Sequence, residues 1–202
     1  MTLYDIKPKF QNLLRPWVIR LYQRGVTANQ VTLCAMITSV IVGGILAFFP
    51  YPHLFLLLPL FLFFRMALNA IDGMLAREFN QQSRLGAVLN EIGDIVSDFA
   101  LYLPFALLAN TSLWLVIFTV IFAISTEFCG VVAQTLTGIR SYKGPLGKSD
   151  RAFLLGVYGI CIALWPQLLV HSNYIFIAAI LLLFWTCINR CRDAIARPKQ
   201  EE

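Results

Sequence analysis

The chain has 202 residues, 58% of them hydrophobic and only 13% charged, with a mean hydropathy of +0.71. A composition this apolar excludes a soluble domain of the same size. The net charge of +5 comes from basic residues that alternate with apolar stretches, which excludes a contiguous surface for nucleic acid and points to anionic lipid instead.

Residues 1–25 lack the uninterrupted apolar core of a cleavable leader. Leu3, Ile6, Phe10, Leu13, Leu14, Trp17, Val18 and Leu21 recur at helical spacing, with Lys7, Lys9, Arg15 and Arg20 between them. This predicts an amphipathic helix lying in the cytoplasmic interface, or one packed on the base of a bundle. Pro8 is expected to mark its start and Pro16 to kink it.

From 26 to 197 the chain reads as one all-α integral-membrane domain, followed by a C-terminal tail at 198–202. Six transmembrane helices are predicted, at roughly 28–49, 53–77, 86–109, 113–137, 149–166 and 173–192, each near the ~20 residues that cross a bilayer. Of the sixteen Lys and Arg, all but Arg65 lie on one side of this layout. They fall before the first span, around the second and fourth connections, and at the end of the sixth span or beyond it. The opposite loops, near Pro50–His53, Asn110–Ser112 and Pro166–Asn173, carry none. The positive-inside rule then puts both termini in the cytoplasm.

Spans two and three, taken as an antiparallel hairpin around Glu78–Leu85, bring polar residues to matching depths. Asp72 lies level with Asn90, Asn69 with Asp94, and Arg65 with Asp98. Asn90, Asp94 and Asp98 form an i, i+4, i+8 ladder on one helix face. Ionisable groups inside apolar segments are expensive and mark function by default. Two carboxylates and two carboxamides converging near the cytoplasmic surface suit an oxygen-ligated cation such as Mg2+ or Mn2+, held by Asp72, Asp94, Asn69 and Asn90. Gly73 and Ala76 would let a bulky ligand approach the backbone, and Arg77 offers a planar fork for phosphate. Together these are the parts of a metal-dependent phosphoryl-transfer site. A buried polar network that only holds helices together is the alternative, and Arg65 with Asp98 is read that way, as a structural ion pair.

Glu127, about ten residues into span four, must find a partner, and Arg65 is a candidate. Between spans four and five, Arg140, Lys143, Lys148 and Arg151 form a second basic cluster around a Gly144-Pro145 turn. It sets topology, or it makes an anion pocket. Cys34, Cys129 and Cys161 read as small buried hydrophobes. Cys187 and Cys191 share a helix face but have too few partners for a metal site. His53 and His171 fall in short outer loops.

The motif Asn69-x2-Asp72-Gly73-x2-Ala76-Arg77-x8-Gly86-x3-Asn90-x3-Asp94 resembles the signature of the CDP-alcohol phosphatidyltransferases, D-x2-D-G-x2-A-R-x8-G-x3-D-x3-D. Spacing agrees at every position, and identity differs only at Asn69 and Asn90. The resemblance implies displacement of CMP from a CDP-diacylglycerol-like donor by an alcohol at the cytoplasmic face of a bacterial inner membrane. It also implies Asp72 as metal ligand, Asp94 as general base, and Gly73, Ala76, Arg77 and Gly86 around the cytidine diphosphate. Thr27-Ala28-Asn29-x2-Thr32 is similar to the family's Pro-Asn-x2-Thr opening, which adds Asn29 to the nucleotide site. By the same resemblance Arg140, Lys148 and Arg151 would bind a phosphorylated acceptor, and the protein would be a homodimer.

With Asn69 and Asn90 in place of aspartates, the site keeps two formal negative charges where the family pattern has four. A CDP-lipid-binding relative without turnover is therefore a competing reading. A transporter that uses the acidic ladder as an ion path is another, against which stand the one-sided clustering of polar residues and the lack of an internal repeat.

Overall fold

The computed structural model describes residues 3–197. The expected tail at 198–202, and the first two residues of the expected N-terminal helix, lie outside the described residues. The helices are α1 (Leu3–Gln23), α2 (Ala28–Phe48), α3 (Leu57–Glu78), α4 (Arg84–Tyr102), α5 (Leu113–Thr137), α6 (Lys148–Leu164) and α7 (Ser172–Ala196). No strand occurs among the described residues.

Short 3-10 segments at Pro52–Leu56, Leu103–Leu107 and Pro166–His171 adjoin α3, α4 and α7. Each has proline at one of its first two positions, where a missing N–H costs no helical bond. The third span was expected to stay α-helical to residue 109; instead Pro104 coincides with the change to 3-10 geometry. A second correction concerns α1, which begins at Leu3, so Pro8 lies inside the helix rather than at its start. Proline's fixed φ is itself helical, and the turn continues through it with one donor fewer.

Four helical stretches are long and apolar enough to cross a membrane: Ala28–Phe48, Pro52–Glu78, Leu113–Thr137 and Pro166–Ala196. Two of the six expected spans fall short of that measure. One, α4, has 19 residues and contains Arg84, Glu91, Asp94 and Asp98. The other, α6, has 17 residues and opens with Lys148, Asp150 and Arg151.

The chain divides into two compact units. The first combines the residues up to Val42 with Leu60–Ala100. Its core gathers Val18 of α1, Ala28 and Val31 of α2, and Ile71, Met74 and Leu75 of α3, all buried. Around it Tyr22 stacks on Phe79 with ring centroids 4.2 Å apart, and Arg15 makes a two-pronged bond to Glu78 at 2.8 and 3.1 Å. The second unit combines Gly43–Pro59 with the residues from Leu101 onward. There Ala123, Leu146, Ala179 and Leu183 form one core cluster. Phe105 anchors another, with ring centroids 4.7 Å from Phe55, 5.6 Å from Tyr158 and 5.7 Å from Phe176.

Candidate functional site

In the first unit, the start of α2 is built by reciprocal capping. The Gln30 amide donates to Thr27 Oγ1 at 3.3 Å, and the Thr27 amide donates to Gln30 Oε1 at 2.9 Å, a capping box that satisfies two helix-terminal donors. Gln81, from the α3–α4 connection, accepts the Ala28 amide at 2.7 Å. These bonds fix Asn29 against the start of α4. Its Nδ2 lies 3.5 Å from Ser83 Oγ, which also accepts the Gly86 amide at 2.9 Å. A Cβ on Gly86 would lie 2.6 Å from Asn29 Oδ1, so only glycine allows this approach.

One turn into α2, Thr32 donates to Asp72 Oδ2 at 2.8 Å, and Asp72 is buried. Its neighbour Gly73 is covered by the folded-back guanidinium of Arg77, whose Nη2 would be 2.9 Å from a Cβ there. Arg77 itself is exposed, and Ala76 one residue earlier is half-buried.

Deeper on α3, Arg65 spans two carboxylates of α4. Its Nη1 donates to Asp98 Oδ1 at 2.7 Å and its Nη2 to Asp94 Oδ1 at 3.1 Å. The side chains of Arg65, Asp98 and Asp94 are 5, 6 and 18% exposed. The structure thus brings the expected pair together and adds Asp94 to it. Two aspartates against one arginine leave this trio negative overall. Asn69 is half-buried and Asn90 is exposed.

The donor set fits a hard divalent cation in kind, since carboxylate and carboxamide oxygens are what Mg2+ and Mn2+ prefer. In charge it is sparse: no group of three His, Cys, Asp or Glu among the described residues is arranged to hold a metal. One ion completed by ligand oxygens suits it better than two.

In the second unit, the basic cluster closes on Glu127. Arg151 Nη2 donates to its Oε1 at 3.0 Å and Arg140 Nη2 to its Oε2 at 2.8 Å. Arg190 Nη1 approaches Oε2 at 3.6 Å and donates to the Thr126 carbonyl. Thr126 Oγ1 accepts from Arg151 Nη1 at 2.9 Å. Three guanidinium groups around one carboxylate leave a net positive, largely buried site. Glu127 is met by three arginines of its own unit. Lys148 starts α6, half-buried. Lys143 turns away to Asp193, 2.7 Å from its Oδ1.

Sequence reasoning missed Arg190, Ser83 and Gln81. Arg190 carried a signal, being a basic residue at the end of an apolar span. Ser83 and Gln81 carried none, because polar loop residues are commonplace.

The family model for CDP-alcohol phosphatidyltransferase matches residues 25–186. The inner membrane protein YnbA of Escherichia coli (strain K12) is 55% identical over 195 residues, which is 96% of this chain and 97% of YnbA. Among solved structures, the Mycobacterium tuberculosis phosphatidylinositol phosphate synthase with CDP-DAG bound superposes with a TM-score of 0.71 at 19% identity, covering 91% of this chain and 94% of that one. The same enzyme in complex with manganese and citrate gives a TM-score of 0.70 at 20% identity, covering 91 and 89%. At such identity the likeness is one of fold.

Proposed function

The chain belongs to the CDP-alcohol phosphatidyltransferase family, and we propose that it transfers the substituted phosphate of a CDP-diacylglycerol-like donor to an alcohol, releasing CMP. The observation that carries this reading is the pairing of signature spacing with geometry. Asp72 on α3 and Asp94 on α4 hold signature positions, and each is oriented by a partner of its own, Thr32 and Arg65. Oxygens fixed in advance need no reorganisation when charge develops.

In this reading Asp72, Asp94, Asn69 and Asn90 hold Mg2+ or Mn2+, which supplies charge neutralisation for the diphosphate when bound. Asn29, Gly73, Ala76, Arg77 and Gly86 receive the nucleotide, with Arg77 swinging from Gly73 to a phosphate. Asp94 takes the acceptor's hydroxyl proton. Arg140, Lys148 and Arg151 bind the phosphate of a phosphorylated acceptor, supported by the excess positive charge around Glu127. Six spans with both termini cytoplasmic, α1 in the interface, a homodimer and a bacterial inner-membrane location complete the proposal.

The deciding experiment supplies labelled CDP-diacylglycerol with a panel of alcohols and alcohol phosphates, and identifies the lipid formed by mass spectrometry. A new phospholipid with stoichiometric CMP, absent in Asp94→Asn, is expected. Donor binding with no CMP from any acceptor would favour the second reading, a CDP-lipid-binding protein without turnover. Asn69 and Asn90 are what speak for that alternative.

A further inference from the structure

Three of the five cysteines cluster in the second unit, and none of them has been given a role above. Cys129 of α5 and Cys191 of α7 place their Sγ atoms 3.6 Å apart. Cys187, one turn before Cys191 on α7, lies within electrostatic reach of both. All five cysteines are free thiols; Cys191 is exposed, while Cys129 and Cys187 are half-buried. A metal does not account for the cluster, since no metal-holding group of three such residues exists among the described residues. Two thiols in van der Waals contact across a helix pair have another chemistry open to them, which is oxidation to a disulfide.

We propose that Cys129 and Cys191 form a thiol-oxidation site that a peroxide converts to a disulfide locking α5 to α7. Cys191, the exposed member, attacks the peroxide oxygen. The O–O bond breaks, an alcohol or water departs, and Cys191 becomes a sulfenic acid. The Cys129 sulfur then displaces hydroxide from that sulfur, its proton leaving with the hydroxide as water. Two thiols have lost two electrons, and the peroxide has gained them. The sulfurs need close only from 3.6 Å to about 2.05 Å. A small uncharged oxidant can reach a thiol one turn from the end of α7, whereas bulkier reagents are hindered at half-buried Cys129. Cys187 precedes Cys191 by one helical turn on the same face, so a bond between those two would strain the helix, and it is left reduced.

Cys34 provides an internal reference. It is exposed on α2 and shares its unit with no other cysteine among the described residues, so it tests whether exposure alone governs the reaction. The full-length protein in detergent is treated with one equivalent of hydrogen peroxide. Remaining thiols are then alkylated under denaturing conditions, and the digest is mapped without reductant. The expected result is an intramolecular Cys129–Cys191 cross-linked peptide, with Cys34, Cys161 and Cys187 alkylated. Treating Cys129→Ser in the same way, with dimedone present, should raise the sulfenic acid adduct at Cys191 several-fold, because the thiol that consumes it is gone. Should that variant fail to fold, the map of the unaltered protein still decides. Oxidation of Cys34 at the same rate, a Cys129–Cys187 product, a cross-link between chains, or Cys129 fully alkylated after treatment would each overturn the proposal.

Discussion

At the scale of single residues, Asp94 and Asp72 carry different expectations because their surroundings differ. Asp94 is the more exposed of the two and sits beside Arg65, where a hydroxyl could come within hydrogen-bond reach. Asp94→Asn should abolish CMP release and leave donor binding nearly intact. Asp72→Asn should also weaken metal-dependent donor binding, read by titrating nucleotide with and without Mg2+. Arg65 holds two carboxylates rather than one, which makes its removal asymmetric. Breaking a buried pair costs roughly 3–5 kcal/mol, because the remaining charge is stranded. Arg65→Gln, which strands both carboxylates, should lower thermal stability in detergent more than Asp98→Asn, and the double mutant should recover part of the loss. Equal or additive losses would contradict the geometry. Asn69 and Asn90 bear on metal count. With two signature carboxylates, the nucleotide-free protein should bind at most one divalent ion tightly. The Asn69→Asp/Asn90→Asp variant should bind Mg2+ or Mn2+ more tightly, with half-buried Asn69 contributing more than exposed Asn90, where solvent screens the added charge; calorimetric titration without nucleotide checks both. The signature residues, recognisable by spacing alone, were legible in the sequence. The partner of Glu127 was not, for its arginines lie 13, 24 and 63 residues away and only packing brings them together.

At the scale of elements, apolar length and helical period mark where the helices lie, whereas prolines decide their ends. The three 3-10 segments begin where a sequence-level span would simply continue or a loop would be assumed. α1 shows which forces dock a helix. Its bond from Arg15 to Glu78 joins side chains 47 and 34% exposed, and exposed ion pairs contribute less than about 1 kcal/mol. Val18, by contrast, is fully buried among residues of α2 and α3, and losing two buried methyl groups costs roughly 2 kcal/mol. Val18→Ala should therefore destabilise the protein clearly more than Arg15→Ala, measured by thermal unfolding in one detergent. The reverse order would mean that α1 is held electrostatically. The α2 start teaches a related lesson. Thr27 and Gln30 could be read as a cap from sequence, but the contribution of Gln81 depends on a loop fifty-three residues away.

At the scale of the whole molecule, the open question is how many helices cross the membrane, and the termini cannot answer it. If α4 and α6 span along with the four strongly apolar stretches, the number of crossings is even and both termini share one side. If neither spans, the number is still even and the termini still agree. The two arrangements differ in between. With six spans, Asn110–Ser112 faces outward and the loop bearing Arg140, Lys143 and Lys148 faces the cytoplasm. With four, these loops exchange sides, and the basic loop would sit outside, against the positive-inside rule. Length favours six. The 19 residues of α4 reach about 28 Å at 1.5 Å per residue, and the 3-10 segment Leu103–Leu107 continues it toward the ~30 Å of a bilayer core. Its two deepest charges do not argue otherwise, since Asp98 and Asp94 are bound by Arg65 rather than offered to lipid. In a cysteine-free background, Ser112→Cys should react with a membrane-impermeant maleimide in cells whose outer membrane has been opened, and Lys143→Cys only after the inner membrane is permeabilised. The opposite pattern would establish four spans, and would place the cluster around Glu127 on the side of the membrane where a cytoplasmic acceptor could not reach it.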